Sequence, residues 1–573
     1  MRKLAILTAC IFIAMSSTSF AGIDILSKPT RNMDCEAGVC TATATNAILN
    51  VTDLTNMLAK GDVTVKPGAH AVLMFVRTPL TWANGSKLTL IAPQITISHP
   101  VTIAGRGGVN IQVSDGPKDL IFQGDGHLVF WDIKSSLLIN GNRYVLVNSI
   151  QGLAAAVAKN AAGNFALASN YDASTDGTYS ATPVSQEFSG NFDGLGNRIT
   201  HFTLVSTASD TDVALFAFVH FGTIYDLGMP NTNVQGADGS NVGAVAGYAS
   251  NSFRTWATEK VSGGASATIG GLFGNGGGID DRFAGTVTGG TGATVGGVGG
   301  IWGIAGIGAT ASSEGSVRGG DDSFVGGIGG YGACSYCRSS MKVTAGNDLG
   351  NGAFAGGLIG YLFGNADHSS ASGSVTVGNV GPSVAQAGGL VANDDSDEIT
   401  FCSAHGTVIG GKGSLVAGMA AATRSRISQS FATGDVKTGS GGQAGGFAGW
   451  APLAQDNYST GAVSGGSGSA VGGFIGDNSA IASTSYSIGL VTGRGKVGGF
   501  AGTNENGFNS DVWDLDTSGS SQGTGDGNVT GLTGLTDAQL KSALPAGFDP
   551  QIWGQSPSIN NGYPYLLANP PQK

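Results

Sequence analysis

A phrase of two glycines, two apolar residues and a further glycine returns along much of the chain at an interval of roughly 26 to 32 residues. The copies read Gly270-Gly271-Leu272-Phe273-Gly274, Gly296-Gly297-Val298-Gly299-Gly300, Gly326-Gly327-Ile328-Gly329-Gly330, Gly356-Gly357-Leu358-Ile359-Gly360, Gly445-Gly446-Phe447-Ala448-Gly449, Gly472-Gly473-Phe474-Ile475-Gly476 and Gly498-Gly499-Phe500-Ala501-Gly502. Looser versions start at Gly243, Gly388 and Ala417. A fixed period of that length in a Gly-rich, β-prone sequence implies a stack of short-stranded units, each covering the apolar face of its neighbour. The expected product is an elongated scaffold, not a compact catalytic globule.

A second phrase keeps step with the first. Aligning the repeats on Val343, Val375, Val408, Val436, Val463 and Val491 brings Cys337, Ser369, Cys402, Ser430, Asn457 and Ser485 into one column, and a glycine such as Gly373, Gly406, Gly434, Gly461 or Gly489 precedes each later valine. Two such marks per repeat predict at least two strand-and-corner segments per unit. Glycine supplies positive φ at corners and lets backbones pass closely, and a small polar column suits an inward bend where a hydroxyl bonds backbone.

Composition narrows the class. Charged residues make up 12% of the chain and glycine 98 of its 573 residues, against about 25% and about 7% in ordinary globular proteins. Collagen is excluded because the glycines have no period of three. Disorder is disfavoured because hydrophobic residues, 41% of the chain, fall in strand-length bursts. A net charge of -11 with no basic stripe argues against nucleic acid as a partner.

Residues 1–21 read as a signal peptide: Arg2 and Lys3 form a basic start, Leu4 to Met15 an apolar core, and Ser19-Phe20-Ala21 a cleavage site. Leu7-Thr8-Ala9-Cys10 fits a lipoprotein box but leaves an apolar stretch too short for one. No later stretch reaches the ~18 apolar residues of a membrane span. Residues 22–147 then read as an N-terminal cap and short rungs, with a helix from Thr52 to Lys60 that has Thr52 as N-cap and Gly61 as stop. Residues 148–241 form a transition with a helix over Ser149–Asn160. Residues 242–507 carry the repeats, and 508–573 an aromatic capping segment with a capping box at Thr536 and Gln539. The aromatics gathered there read as a terminal plug.

The glycine phrase resembles the GLUG motif of bacterial surface proteins. The segments from Tyr144, from Phe188 to Ile199, from Val512 to Gly519 and from Gly562 to Leu566 are similar to the flanks of GLUG-bearing, filamentous-haemagglutinin-like adhesins. The resemblance implies an all-β fold, a right-handed parallel β-helix with small helical and aromatic caps. It further implies a secreted or cell-surface location, with the periplasm as the alternative, a role in adhesion or biofilm formation, and an outer-membrane export partner. The His-Glu-x-x-His sequence of the metallopeptidases among GLUG proteins is absent.

The reactive side chains are weighed against that scaffold. Cys334, Cys337, Cys402 and His405 mimic a zinc pattern, but Cys337 and Cys402 fall two repeats apart, about 10 Å at the spacing of stacked strands, too far for one metal or a disulfide. Small-residue packing or a Cys334–Cys337 bridge is the expected state. Cys35 and Cys40 are near enough to bridge, and Cys402 is left as the unpaired thiol of a mature chain with five cysteines. The acid groups Asp280-Asp281, Asp321-Asp322, and Asp394-Asp395 with Asp397 and Glu398 could flank a glycosidic bond, yet they sit between glycine phrases, where corner loops are expected. Asp514, Asp516 and Ser518 begin like a calcium loop, but position 12 is Gly525 and not a bidentate glutamate. An Asp-rich turn is the default there, and no other cofactor is called for. Gly519 to Gly523 matches Gly-x-Ser-x-Gly, but no histidine follows it.

The sequence therefore predicts an adhesin-like binding scaffold for an extracellular polymer, a glycan or a host surface protein, acting through many weak contacts. The alternative is a carbohydrate-active β-helix enzyme, a polysaccharide lyase or hydrolase.

Overall fold

The computed structural model describes residues 22–69, 73–303, 310–395, 398–451, 453–478 and 481–571. The expected leader over residues 1–21, with Cys10, and Asp397 lie outside the described residues. The chain divides into two units, one ending at Leu146 and one beginning at Val147.

In the first unit short runs of alternating apolar residues build three parallel sheets. One turn of the chain runs through Leu73–Val76, Leu80–Trp82 and Lys87–Ile91, and the next through Gln94–Ile97, Val101–Ile103 and Gly108–Gln112, each strand pairing with its equivalent one turn on. Alternation sends Met74, Val76, Leu88, Leu90, Ile95 and Ile97 inward, where all are buried. Helix α1 (Val51–Leu58) buries Leu54 and Leu58 and packs on the edge strand Leu80–Trp82, which it shields from open pairing. Its N-cap is Asn50 and not the expected Thr52: the Asn50 Oδ1 accepts from the amides of Thr52 and Asp53 at 2.8 and 3.2 Å. A side-chain oxygen on the residue before the helix reaches the amides of its second and third residues, which the threonine, already inside the turn, cannot. The helix ends at Leu58, with Ala59 as its C-cap, before Gly61.

The second unit is a parallel β-solenoid whose repeat contains more corners than the two marks in the sequence suggest. The repeat that starts at Ala385 passes through Ala385–Gly388, Val391–Asp394, Glu398–Thr400, Ser403–Ala404 and Val408–Gly410. Register follows the sequence alignment: Val343, Val375, Val408, Val436, Val463 and Val491 pair in file. One core runs from Val147 to Trp513. Its files include Phe447, Phe474 and Phe500, whose rings stack at 4.9 and 4.7 Å with interplanar angles of 8° and 14°. Each such ring contributes roughly 2 kcal/mol through burial.

The glycines of the phrase act through closeness, not through positive φ. A Cβ on Gly357, Gly446 or Gly473 would lie 2.0 to 2.1 Å from the carbonyl oxygen of the equivalent glycine one rung on, and one on Gly356 or Gly472 would lie 1.8 to 1.9 Å from the oxygen three residues ahead. The amide of Gly446 donates to Gly472 and that of Gly473 to Gly498, so the corner is hydrogen-bonded along the stack. Left-handed backbone falls elsewhere, on non-glycine residues just before the polar column: Tyr336, His368, Phe401, Gln429, Asp456, Thr484 and Ser510, all with φ between 46° and 61°. Each turns the next amide along the stack. Cys337 N donates to Ser369 Oγ, Cys402 N to Ser430 Oγ, Ser430 N to Asn457 Oδ1, Asn457 N to Ser485 Oγ and Ser485 N to Asp511 Oδ1, at 2.9 to 3.2 Å. Ser430 and Ser485 also donate to carbonyls two residues back. The column is thus a buried ladder that satisfies amides the corners would otherwise orphan.

Helix α2 (Ile150–Lys159), capped by Ser149, places Ile150, Leu153 and Val157 in the core at its start. At the other end Trp513 takes the inward place that Ser459 and Ser487 hold in earlier rungs. The expected terminal plug is therefore one residue, while the remaining aromatics run sideways. Beyond Leu535 the chain, with helix α3 (Asp537–Ser542) and its Thr536–Gln539 capping box, lies over Phe431, Tyr458, Tyr486 and Val512. Trp553 donates to Asp456 Oδ1 at 3.2 Å, Tyr486 to the Pro564 carbonyl at 2.6 Å, and Asn569 to the carbonyls of Cys402 and Gln429. Stacked rings on the outside of a sheet expose apolar surface that these residues cover.

Candidate binding face

In each glycine phrase the two apolar residues point into the core and the last glycine presses on the rung before, so the next side chain must emerge outward. Those residues are Phe218, Tyr248, Asn275, Ile301, Tyr331, Tyr361, Asn393, Ala422, Trp450, Asp477 and Thr503, and every one pairs with the next in register. All are half-buried. Five of these eleven positions are aromatic in a chain that is 8% aromatic, so the file is not an average sample of the surface. The polar column drew attention in the sequence; this file carries the same period and, except at Phe218, Asn393 and Ala422, was legible as the residue after the phrase's final glycine.

Within the file, rings one rung apart lie face to face. Phe218 and Tyr248 stack at 4.5 Å and 20°, Tyr331 and Tyr361 at 5.4 Å and 19°, and Phe363 leans on Tyr331 at 5.8 Å. Phe324 and Phe354, around the adjoining corner, stack at 4.8 Å, and both approach Tyr361 at 6.0 Å. Stacking consumes ring faces and leaves edges and hydroxyls outward, apart from Phe363, which is 52% exposed. The Tyr361 hydroxyl donates to Asp395, whose other oxygen pairs with Arg424 at 3.2 Å. Burial, and then that carboxylate, push the Tyr361 phenol up to about 12, and Tyr331 rises for the same two reasons. Both phenols stay neutral donors at physiological pH. Further along, Thr503 donates to Asp477 at 2.9 Å. At the corner on the far side of these strands Tyr336, His368 and Phe401 form a second stack, with spacings of 4.8 and 4.7 Å. The face can offer a linear ligand repeated apolar edges alternating with hydroxyl, amide and carboxylate groups.

The residues singled out for chemistry occupy other places. Cys35 and Cys40 are joined across a hairpin, Cys334 and Cys337 are joined at a corner, and Cys402 is a buried free thiol. Burial pushes the Cys402 thiol up to about 12, leaving it unreactive. In the first and third acid pairs one carboxyl turns in and one out, while Asp322 is buried and Asp321 half-buried. Asp281 is buried in the ladder, accepting from Ser252 and from Thr255 N, while Asp280 is an exposed left-handed corner. Asp321 and Asp322 accept from the amides of Asn347 and Leu349. Asp394 accepts from Thr423 Oγ1 at 2.7 Å beneath the face on which Asp395 and Glu398 are exposed. The pairs thus lie at different corners of the rung. Asp514 accepts from the amides of Asp516 and Thr517, Asp516 from the amide of Asp537, and Ser518 from that of Ser520. Asp514 also accepts from the Tyr563 hydroxyl at 3.4 Å, and among the described residues no three acidic, His or Cys groups converge as for a metal ion.

No protein-family model matches the chain, and no curated protein does. A solved structure, of a proposed immunoglobulin A1 protease from Bacteroides ovatus, aligns over 74% of this chain and 92% of that one with 14% identity and a TM-score of 0.26. A likeness so slight carries no argument about either molecule.

Proposed function

We propose that the protein is an adhesin-like scaffold, exported by its first 21 residues to the cell surface or medium, that holds an extended glycan or matrix polymer along the file from Phe218 to Thr503. The file itself carries this reading: a line of evenly spaced aromatic and hydrogen-bonding groups suits a repeating chain, which it binds by many weak contacts. The scattering of the acid pairs around the rung favours binding over glycoside cleavage, which needs two carboxyl groups about 5 to 10 Å apart across one bond. The test is retention of the purified full chain on a glycan and matrix-protein array, run beside a reducing-sugar assay. Saturable retention without sugar release is expected, and replacing Tyr331 and Tyr361 together by Ala should weaken it at least about tenfold. Replacing Thr344 and Thr376, which pair on another sheet, should leave it unchanged. Release of reducing ends would instead support the lyase or hydrolase.

A further inference from the structure

Because the rings of the file lie face against face, a ligand meets mostly their edges. Phe221 breaks that pattern. Strand Phe216–Tyr225 shifts register against Ala246–Phe253 between Val219 and Thr223, and within the bulge Phe221 adopts φ 59° with its side chain 80% exposed. The bulky left-handed residues Tyr336 and Phe401 stand at repeating corners, and Asn231, in a second bulge, is of a type that tolerates the conformation. Phe221 is neither. The Phe221 amide donates to Ser250 Oγ on the next rung at 3.4 Å, which holds the backbone, and the bulge re-aims the side chain into solvent.

The ring is also well supported. One face lies on the His220 imidazole at 3.9 Å and 27°. His220 in turn meets Phe218 and Tyr248 edge-on at 5.4 and 6.4 Å, and its Nδ1 is 3.2 Å from Glu187 Oε1. The other face of Phe221 has no aromatic partner among the described residues.

We propose that this bulge is a monosaccharide-stacking subsite at the start of the file. The open face of Phe221 takes the C–H face of one pyranose unit, and the Glu187 carboxylate, paired with the supporting His220, accepts a hydrogen bond from a hydroxyl of the same chain. The inference rests on the polymer-binding reading and adds to it a sugar as the repeating unit. A sugar is favoured over a peptide because a protruding flat ring, backed by a histidine whose Nδ1 lies 3.2 Å from a carboxylate, matches a flat apolar face bordered by hydroxyls. A peptide anchor instead needs a pocket that encloses it and excludes water.

Full-length Phe221→Gly and Phe221→Trp variants test it against the polysaccharides that the unaltered chain retains. Phe221→Gly should bind about tenfold more weakly while its Tm stays the same or rises, because glycine accepts the left-handed conformation freely. Phe221→Trp should bind at least as tightly as the unaltered chain. Unchanged binding by Phe221→Gly would overturn the subsite and leave the scaffold standing, as would joint loss of Tm and binding, which marks a packing role. If the unaltered chain retains only proteins and no polysaccharide, the sugar assignment falls; if it retains nothing, the polymer-binding reading falls first.

Discussion

Asp281 shows how one buried ladder residue sets a pH response. Burial raises its carboxyl to about 7, above the ~3.9 of an unfolded aspartate, so between those values the folded chain holds a proton that the unfolded chain has lost. Its own contribution to stability should fall as pH rises from about 4 to about 7, by up to about 4 kcal/mol, and level off above. Asp281→Asn should flatten that slope, which urea midpoints across the range will show; parallel curves for the two proteins would refute it. Asp348 responds with the opposite sign. Burial alone would raise its carboxyl, yet the amides of Gly350, Gly352, Gly381 and Ser383 all donate to it and the net shift is downward. Its contribution is present above the unfolded value of about 3.9 and lost as pH drops through the depressed one. Ser430→Ala should cost about 1 to 3 kcal/mol by orphaning the buried Cys402 amide. The small polar column was visible in the sequence because its spacing is regular. Most of its left-handed neighbours were not, since Tyr, Phe and Gln carry no signal for positive φ.

Among elements, the glycine corner is the least tolerant. Gly473→Ala drives a Cβ to 2.1 Å from the Gly499 carbonyl oxygen, which is backbone and cannot step aside. A loss of about 3 kcal/mol or more is expected. Gly441→Ala, at φ 71° with no atom within 4 Å of the added carbon, should lose only about 1 kcal/mol. Thermal melts of the two variants compare them directly, and equal shifts would show that corner closeness is not what the phrase encodes. The period of the phrase predicted the stack and its register. The sense in which each glycine is used was not legible, because positive φ and close approach leave the same residue in the sequence. The α1 cap was misplaced for a local reason: both Asn50 and Thr52 are cap formers, and only the course of the preceding strand Asn46–Asn50 decides between them.

For the molecule, the lateral arm after Leu535 matters most to solution behaviour. Trp553 lies against Tyr458 and Tyr486 at 6.2 and 5.8 Å, and Trp553→Ala should cost about 3 to 5 kcal/mol. A chain ending at Leu535 should keep its β circular dichroism yet bind a hydrophobic dye and associate, because Phe431, Tyr458 and Tyr486 become solvent-exposed. A monomeric, dye-silent truncation would show that the arm covers nothing of consequence. Sequence alone determined that short strands stack in parallel with a period near 28 residues, since glycines recurring at that interval leave room for a neighbouring backbone and for little else. Tertiary structure alone decided which outward residues share a file and where the arm runs. The first depends on pairing between residues a full turn apart. The second depends on contacts such as that of Trp553 with Asp456, 97 residues away, which no local pattern encodes.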